Sequence, residues 1–250
     1  MVGGGGGPEA RGGGAGDTRG NDVRHSDTGI FDREAARYDA WFDSEQGRAI
    51  FESEVLCLRQ LSDGLPRPWL EVGVGTGRFA QALGMDLGVD PAAAALGYAE
   101  GRGVRALPGV GEALPFRDGQ FGAVFVIVTI CFADDPAALL REARRVVTEG
   151  GGVVLGIVPA ESPWGRVYAK KSSSGHAFYS HARFFGLGEL DNLASSAGLH
   201  HERSESTLFQ RPGGGPFETE PPRKGRHDGA GFVTALYRKA HQSPRGEDDG

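Results

Sequence analysis

Three glycines at alternate positions, Gly73, Gly75 and Gly77, follow directly on the apolar stretch Trp69-Leu70-Glu71-Val72. A helical pattern begins at once with Arg78-Phe79-Ala80. The order is strand, tight turn, helix start. Glycine allows the positive φ angles such a turn needs and lets the backbone approach a ligand closely. Free amides at the start of the following helix favour a carboxylate or phosphate. A chain with this junction is constrained to an α/β architecture with a nucleotide-type site at the strand end.

The rest of the 250 residues agrees with that reading. Short apolar runs alternate with helical patterns, which predicts a mostly parallel sheet with helices on both faces. Helices are expected over 31–43 and 46–61, the second with Ile50, Val55, Leu58 and Leu61 at roughly helical spacing. Strands are expected over 69–74, 86–89, 104–107, 123–132 and 153–158. Between them fall helices over 78–83, 91–100 and one opening at Pro136, capped by Asp134 or Asp135 and stopped by Gly150. Residues 159–185 read as an irregular aromatic and basic cap. A helix over 187–197 and closing strands near 202–209 and 231–237 complete a seven-stranded, Rossmann-like sheet. Arg141, Arg144 and Arg145 fall mostly off the apolar stripe of their helix and read as a solvated face.

The ends differ in composition. Residues 1–29 hold 11 glycines and almost no apolar side chains. Such a segment cannot bury enough surface to offset its ordering entropy and is expected to be disordered. The polar stretch 241–250 is expected to be a flexible tail. One domain over 30–240 is left.

Composition excludes several classes. A net charge of -6 is a poor basis for binding nucleic acid, where phosphate neutralisation supplies much of the affinity. The two cysteines, Cys57 and Cys131, form no C-x-x-C pair, so neither a zinc site nor a disulfide framework is expected and no metal is called for. The longest nearly apolar run, 123–133, is short of the roughly 20 residues a bilayer requires, and no signal peptide is visible. A cytoplasmic protein, monomer or homodimer, that contacts neither membrane nor nucleic acid is the expectation.

Two nucleotide classes use a glycine turn of this kind. Dinucleotide sites prefer G-x-G-x-x-G, and here Arg78 stands where the third glycine would fall. A second element, Leu87-Gly88-Val89-Asp90-Pro91, ends an expected strand on an acidic residue 17 positions after Gly73. A carboxylate there can accept both ribose hydroxyls, or can simply cap the helix that opens at Pro91.

With these residues in view the chain resembles the class I methyltransferases that use S-adenosyl-L-methionine (SAM), in the type 11 small-molecule group. Four strings carry the resemblance in order: Glu71-Val-Gly-Val-Gly-Thr-Gly77, Gly88-Val-Asp-Pro91, Gly109-Val-Gly-Glu-Ala-Leu-Pro115 and Thr129-Ile-Cys-Phe-Ala-Asp-Asp-Pro136. The resemblance implies that Glu71 orients the glycine loop and helps hold the methionine amino group. Gly73, Gly75 and Gly77 would line the methionine moiety. Asp90 would hold the ribose, with Pro91 beside the adenine and Gly111, Glu112 and Ala113 flanking it. Thr129 and Ile130 would pass under the sulfonium, and Tyr38 would close over the cofactor. Two strings depart from the family pattern. Val110 stands where the adenine motif usually has an acidic residue, and Gly122 follows Phe121 where Phe-Asp is common, a change expected to cost structure rather than function.

The acceptor is expected to be a small molecule, with its attacking atom open between N, O and S. Candidate bases, needed only for a protonated acceptor, are His176, Tyr179 and His181 in the cap. Trp41, Trp164, Tyr168 and Phe178 are expected to wall the acceptor pocket, and Cys131 to reach it. No Asn-Pro-Pro-Tyr string follows the fourth strand, as a nucleic-acid enzyme would want. The paired glutamates of a protein arginine methyltransferase and the extra cysteines of an arsenic methyltransferase are also missing. A regulatory or scaffold protein that binds SAM without turnover is the rival reading.

Overall fold

The structure, a computed structural model, describes residues 28–239. The glycine-rich segment and the polar tail lie outside the described residues, apart from Thr28 and Gly29 at the start of the first helix. Helices α1 (Thr28–Trp41) and α2 (Glu45–Ser62) lead into the sheet. Ser44 starts α2 by accepting the Gly47 amide at 3.0 Å. Then follow β1 (Trp69–Val72), α3 (Arg78–Leu83), β2 (Leu87–Asp90), α4 (Ala93–Gly101), β3 (Ala106–Pro108) and β4 (Phe121–Ile127). The second half holds α5 (Pro136–Val146), β5 (Val147–Ile157), α6 (Pro163–Ser173), α7 (Leu187–Ser196), β6 (Leu199–Thr207), β7 (Arg223–Lys224) and β8 (Phe232–Lys239).

The sheet order is β3-β2-β1-β4-β5-β8-β6-β7, with β1 to β5 parallel and β8 antiparallel to both β5 and β6. It has eight strands where seven were expected. The additional one is the two-residue β7, contributed by the long loop before β8 and paired to Glu205 and Ser206 at the sheet edge. All seven residues of β4 are buried, as its near-continuous apolar sequence requires of a strand covered on both faces. One face packs on α5 and α7 through Leu139, Leu140, Leu190 and Ala194. The other packs on α2 and α3 through Leu58, Leu61, Phe79 and Leu83.

Several element limits differ from the sequence reading for physical reasons. β4 stops at Ile127 because Val128 takes a φ of 50°, which turns the chain into a 3-10 turn over Ile130–Phe132. The cap is not irregular: Ser162 accepts the Gly165 amide at 2.9 Å and Pro163 opens α6. Of the two possible caps for α5, Asp135 is used, accepting from Ala138 at 2.9 Å. Arg145 is no solvated bystander, since it bonds Glu142 and Asp118 and donates to the carbonyls of Leu114 and Phe116.

Gly122 also turns out to be demanded by the fold. A β-carbon there would lie 2.0 Å from the Pro66 carbonyl oxygen, on the loop leading into β1. Gly122→Ala should therefore destabilise the protein by about 1–3 kcal/mol, the usual cost of overpacking against unyielding atoms. Urea unfolding monitored by circular dichroism checks this, and an unchanged midpoint would refute it.

Candidate active site

A cleft of about 470 Å³ opens where the sheet order reverses, between β1 and β4. At such a point the loops leaving neighbouring strands part in opposite directions and leave a crevice. Its floor is the glycine loop and the ends of β2 and β4. Its roof is α1, α6 and the aromatic turn Tyr179–His181.

The three glycines of the loop answer three different needs. All have positive φ, at 74°, 50° and 80° for Gly73, Gly75 and Gly77. A β-carbon on Gly73 would sit 2.2 Å from the Thr129 side chain, and one on Gly77 would sit 2.9 Å from Ala99 of α4. Gly75 meets nothing within 4 Å and lines the cleft, so its surroundings are open space that a ligand can use. Its amide donates to one oxygen of Asp90 at 2.8 Å, while the Ala92 amide donates to the other at 2.9 Å. Asp90 thus holds the turn before α4 and braces the loop at once. Burial raises its carboxyl above the ordinary range, opposed by these two amides.

Glu71 is 1% exposed, and its Oε2 has no hydrogen-bond partner. Burial, aided by the charge of Asp90, holds its carboxyl well above the usual range. An unpartnered buried oxygen is costly and marks a place for a donor to complete. Opposite, Thr129 donates to the Ile127 carbonyl at 2.9 Å after the strained turn at Val128. A β-branched residue with positive φ is costly and clusters at functional sites.

Of the residues singled out from sequence, Tyr38, Gly73, Gly75, Asp90, Pro91, Gly111, Glu112 and Thr129 line the cleft. So do Trp41, Cys131, Tyr168, His176, Phe178, Tyr179 and His181. Five others do not. Glu71 is enclosed at the end of β1, and Gly77 backs onto α4. Ile130 is fully buried in the core, and Ala113 is exposed beside the cleft. Trp164 is 3% exposed, packs at 5.4 Å on Phe217 and donates its ring N–H to the Gln210 carbonyl, so it supports the cap from beneath rather than facing the cavity. Glu112 is also committed in part, because Oε1 accepts the Asp134 amide at 3.0 Å.

The roof is aromatic. Tyr168 stacks on Tyr179 at 4.5 Å, His176 lies 4.7 Å from Tyr179, and Phe178 lies 5.7 Å from Tyr38. Burial, and the nearby charges of Lys171 and Arg37, lower the affinity of His176 for a proton, and its Nδ1 has no partner. Burial pushes the Cys131 thiol up to about 12, which keeps it an inert thiol at neutral pH.

The sequence reading missed the part played by two groups. Glu54 of α2 lines the cleft at 7% exposure. It follows Ile50 by four residues and precedes Leu58 by four, so an acid in the apolar stripe was the available signal. Arg78 is the other. Its guanidinium donates to Asp39 at 2.9 Å and to Asp43 at 2.9 Å, and Arg102 donates to Asp39 at 2.7 Å. Through Asp39, the roof helix α1 is fastened to the start of α3 and the end of α4.

The match to known proteins follows this architecture. Residues 70–155 match the family described as a methyltransferase domain. A solved structure from Thermotoga maritima, described as a SAM-dependent methyltransferase and possible histamine N-methyltransferase, is 38% identical. It superposes with a TM-score of 0.78 over 85% of this chain and 99% of that one. An uncharacterized protein of Mycobacterium tuberculosis is 44% identical over 222 residues, covering 88% of this chain and 78% of the relative. Another from Methanocaldococcus jannaschii is 33% identical over 182 residues, 72% of this chain and 86% of the relative. Fold and cleft together define a nucleotide-type α/β transferase. The chain belongs to the class I SAM-dependent methyltransferases. No helix among the described residues is long and apolar enough to cross a membrane.

The Asp39 clamp should be visible in acid. Burial alone would raise the Asp39 carboxyl, but hydrogen bonds from Arg78, Arg102 and Thr76 outweigh it and hold it down at about 2. A depressed folded value stabilises the protein above the unfolded value, near 4, and the stabilisation is lost as pH falls toward 2. Arg78→Ala, which leaves Arg102 on Asp39, should therefore lower stability at pH 7 by about 1 kcal/mol and partly flatten the decline between pH 4 and 2. Thermal melts across that range test it; parallel pH curves for the two proteins would contradict it.

Proposed function

We propose that this protein transfers a methyl group from SAM to a small organic acceptor held under the aromatic roof. The observation that carries the reading is that one cleft joins the braced loop at Gly75 and Asp90 to an aromatic chamber closed by α1 and the cap. SAM supplies a methyl group already activated by a positive sulfur, so proximity and orientation are the main tasks left to the protein.

In this reading Asp90, already oriented by two amides, has lone pairs left for the ribose hydroxyls. Glu71, enclosed at the end of β1, orients the glycine loop from beneath. Gly73 and Gly75 let the methionine moiety lie against the backbone, with Thr129 on the far side. Gly111 and Glu112 flank the adenine with Pro91, and Glu112 uses the oxygen that Asp134 leaves free. Tyr38, on the clamped helix α1, closes the chamber. His176, neutral at pH 7, lines the acceptor chamber. The enclosed chamber, walled by Phe178, Tyr168 and Tyr179, suits a small molecule better than a polymer. The chain's negative charge supports the same choice over nucleic acid.

Calorimetric titration with SAM, S-adenosylhomocysteine and NADH tests the cofactor assignment. SAM and the homocysteine product should bind and NADH should not. Asp90→Ala should weaken both by tenfold or more, with the fold checked by circular dichroism. Undiminished binding to the variant would remove Asp90 from the site. Binding without methyl transfer to any of a panel of amines, thiols and phenols would favour a SAM-binding regulator instead.

A further inference from the structure

Glu54 is the feature of the cleft that cofactor binding leaves unexplained. It lies on α2, outside the glycine loop and the strand ends, yet its side chain lines the cavity. Among the described residues no hydrogen bond or ion pair reaches its carboxylate. A Gln or Leu at this place would pack in the same stripe between Ile50 and Leu58 without the cost of burying an acid.

The groups whose ionisation Glu54 influences are neutral at pH 7. Tyr38 of α1, Tyr168 of α6 and Tyr179 of the cap turn line the same cavity, each near enough for the Glu54 charge to bear on its ionisation. Cys57 is affected from the next turn of α2. Burial raises all three phenols and the thiol, so none carries charge. Lys171, a nearby cation, is exposed and sits 5.5 Å and 5.7 Å from the ring centres of Tyr168 and Tyr179 rather than paired with Glu54. Burial pushes the Glu54 carboxyl up to about 8. A buried acid in a cavity lined by electron-rich rings is complementary to one kind of guest, a small cation that can also donate hydrogen bonds.

We propose that Glu54, walled by Tyr38, Tyr168 and Tyr179, is the anchor for the ammonium group of a small amine acceptor and takes the proton that its nitrogen must lose. This inference rests on the small-molecule reading above. The amine enters as an ammonium ion and the protonated Glu54 releases one proton to solvent, leaving an ion pair. The ammonium then passes a proton to the carboxylate, which frees the nitrogen lone pair. As that lone pair forms the new N–CH3 bond, the S–CH3 bond breaks with its electrons left on sulfur, and the product leaves as a methylated ammonium. The sum is ammonium plus sulfonium giving methylammonium, thioether and one proton. Carboxylate guests are disfavoured, because among the described residues no buried cation lines the chamber to oppose them.

The test is binding to the full chain saturated with S-adenosylhomocysteine. The probes are 2-phenylethylamine and tryptamine, with the matched 2-phenylethanol, tryptophol, phenylacetate and indole-3-acetate. At least one amine should bind at least tenfold tighter than its matched alcohol, and the acids should not bind. Glu54→Gln, the same size and neutral, should erase the preference while homocysteine-product binding stays within twofold; Glu54→Asp should restore part of it. Amine binding to the wild type should release close to one proton at pH 6.5 and close to none at pH 9, read from calorimetry in buffers of different ionisation enthalpy. Equal binding of amine and alcohol, no amine binding, or a preference that survives in Glu54→Gln would overturn the proposal while leaving the methyltransferase reading intact. Failure of S-adenosylhomocysteine itself to bind the wild type would strike the underlying reading instead.

Discussion

The close approach of Gly73 to Thr129, across the junction of β1 and β4, is the constraint on which the site depends. Only a residue without a side chain lets these two strand ends converge, since any β-carbon would meet the Thr129 side chain at 2.2 Å. Thr129 is aimed at that gap by the strained turn at Val128. Strain of this kind persists only where its surroundings enforce it. Here the fully buried β4 on one side and the core residue Ile130 on the other hold the turn in place. The cleft follows from the convergence: the glycine loop leaves to one side, the Thr129 segment to the other, and Asp90 braces the first by a bond to the Gly75 amide.

Charge in the cleft is distributed unevenly. Glu54, Glu71 and Asp90 are acids brought to or beside it, each raised by burial. The guanidinium groups nearest the floor, Arg78 and Arg102, are spent on Asp39. Lys171 and Arg37 stay exposed at the rim. A cavity in which acids are buried and cations are either neutralised or solvated favours positive guests, because attraction grows as water is excluded. The Asp39 clamp serves the same arrangement mechanically. It fastens α1, and with it Tyr38, over the floor without placing a free cation inside.

Much of this was legible from local pattern. The apolar run before Gly73, the acid closing β2, and Asp135-Pro136 at the head of α5 each report a short-range physical rule. At three residues the reading failed because of contact between residues distant in sequence. Gly122 looked like a loss within its strand, but its reason is the Pro66 carbonyl. Trp164 looked like a pocket wall, but Phe217 and Gln210 claim it for the underside of the cap. Arg78 looked like a missing glycine and proved to be a tether to Asp39. The helix α6 was the avoidable miss, since Ser162 and Pro163 are ordinary start signals.

The sequence by itself determined the α/β class, the turn after β1 and the identity of the residues around it, because glycine conformations, helix caps and apolar periodicity act over a few residues. The tertiary structure alone decided which side chains share the cavity. It brought Glu54 from α2 into one cavity with Tyr38, Tyr168 and Tyr179, and it withdrew Trp164 and Ile130 into the core. Burial and charge environment arise from packing between elements far apart in the chain, and those are the quantities that set what a carboxyl group in a cleft can bind.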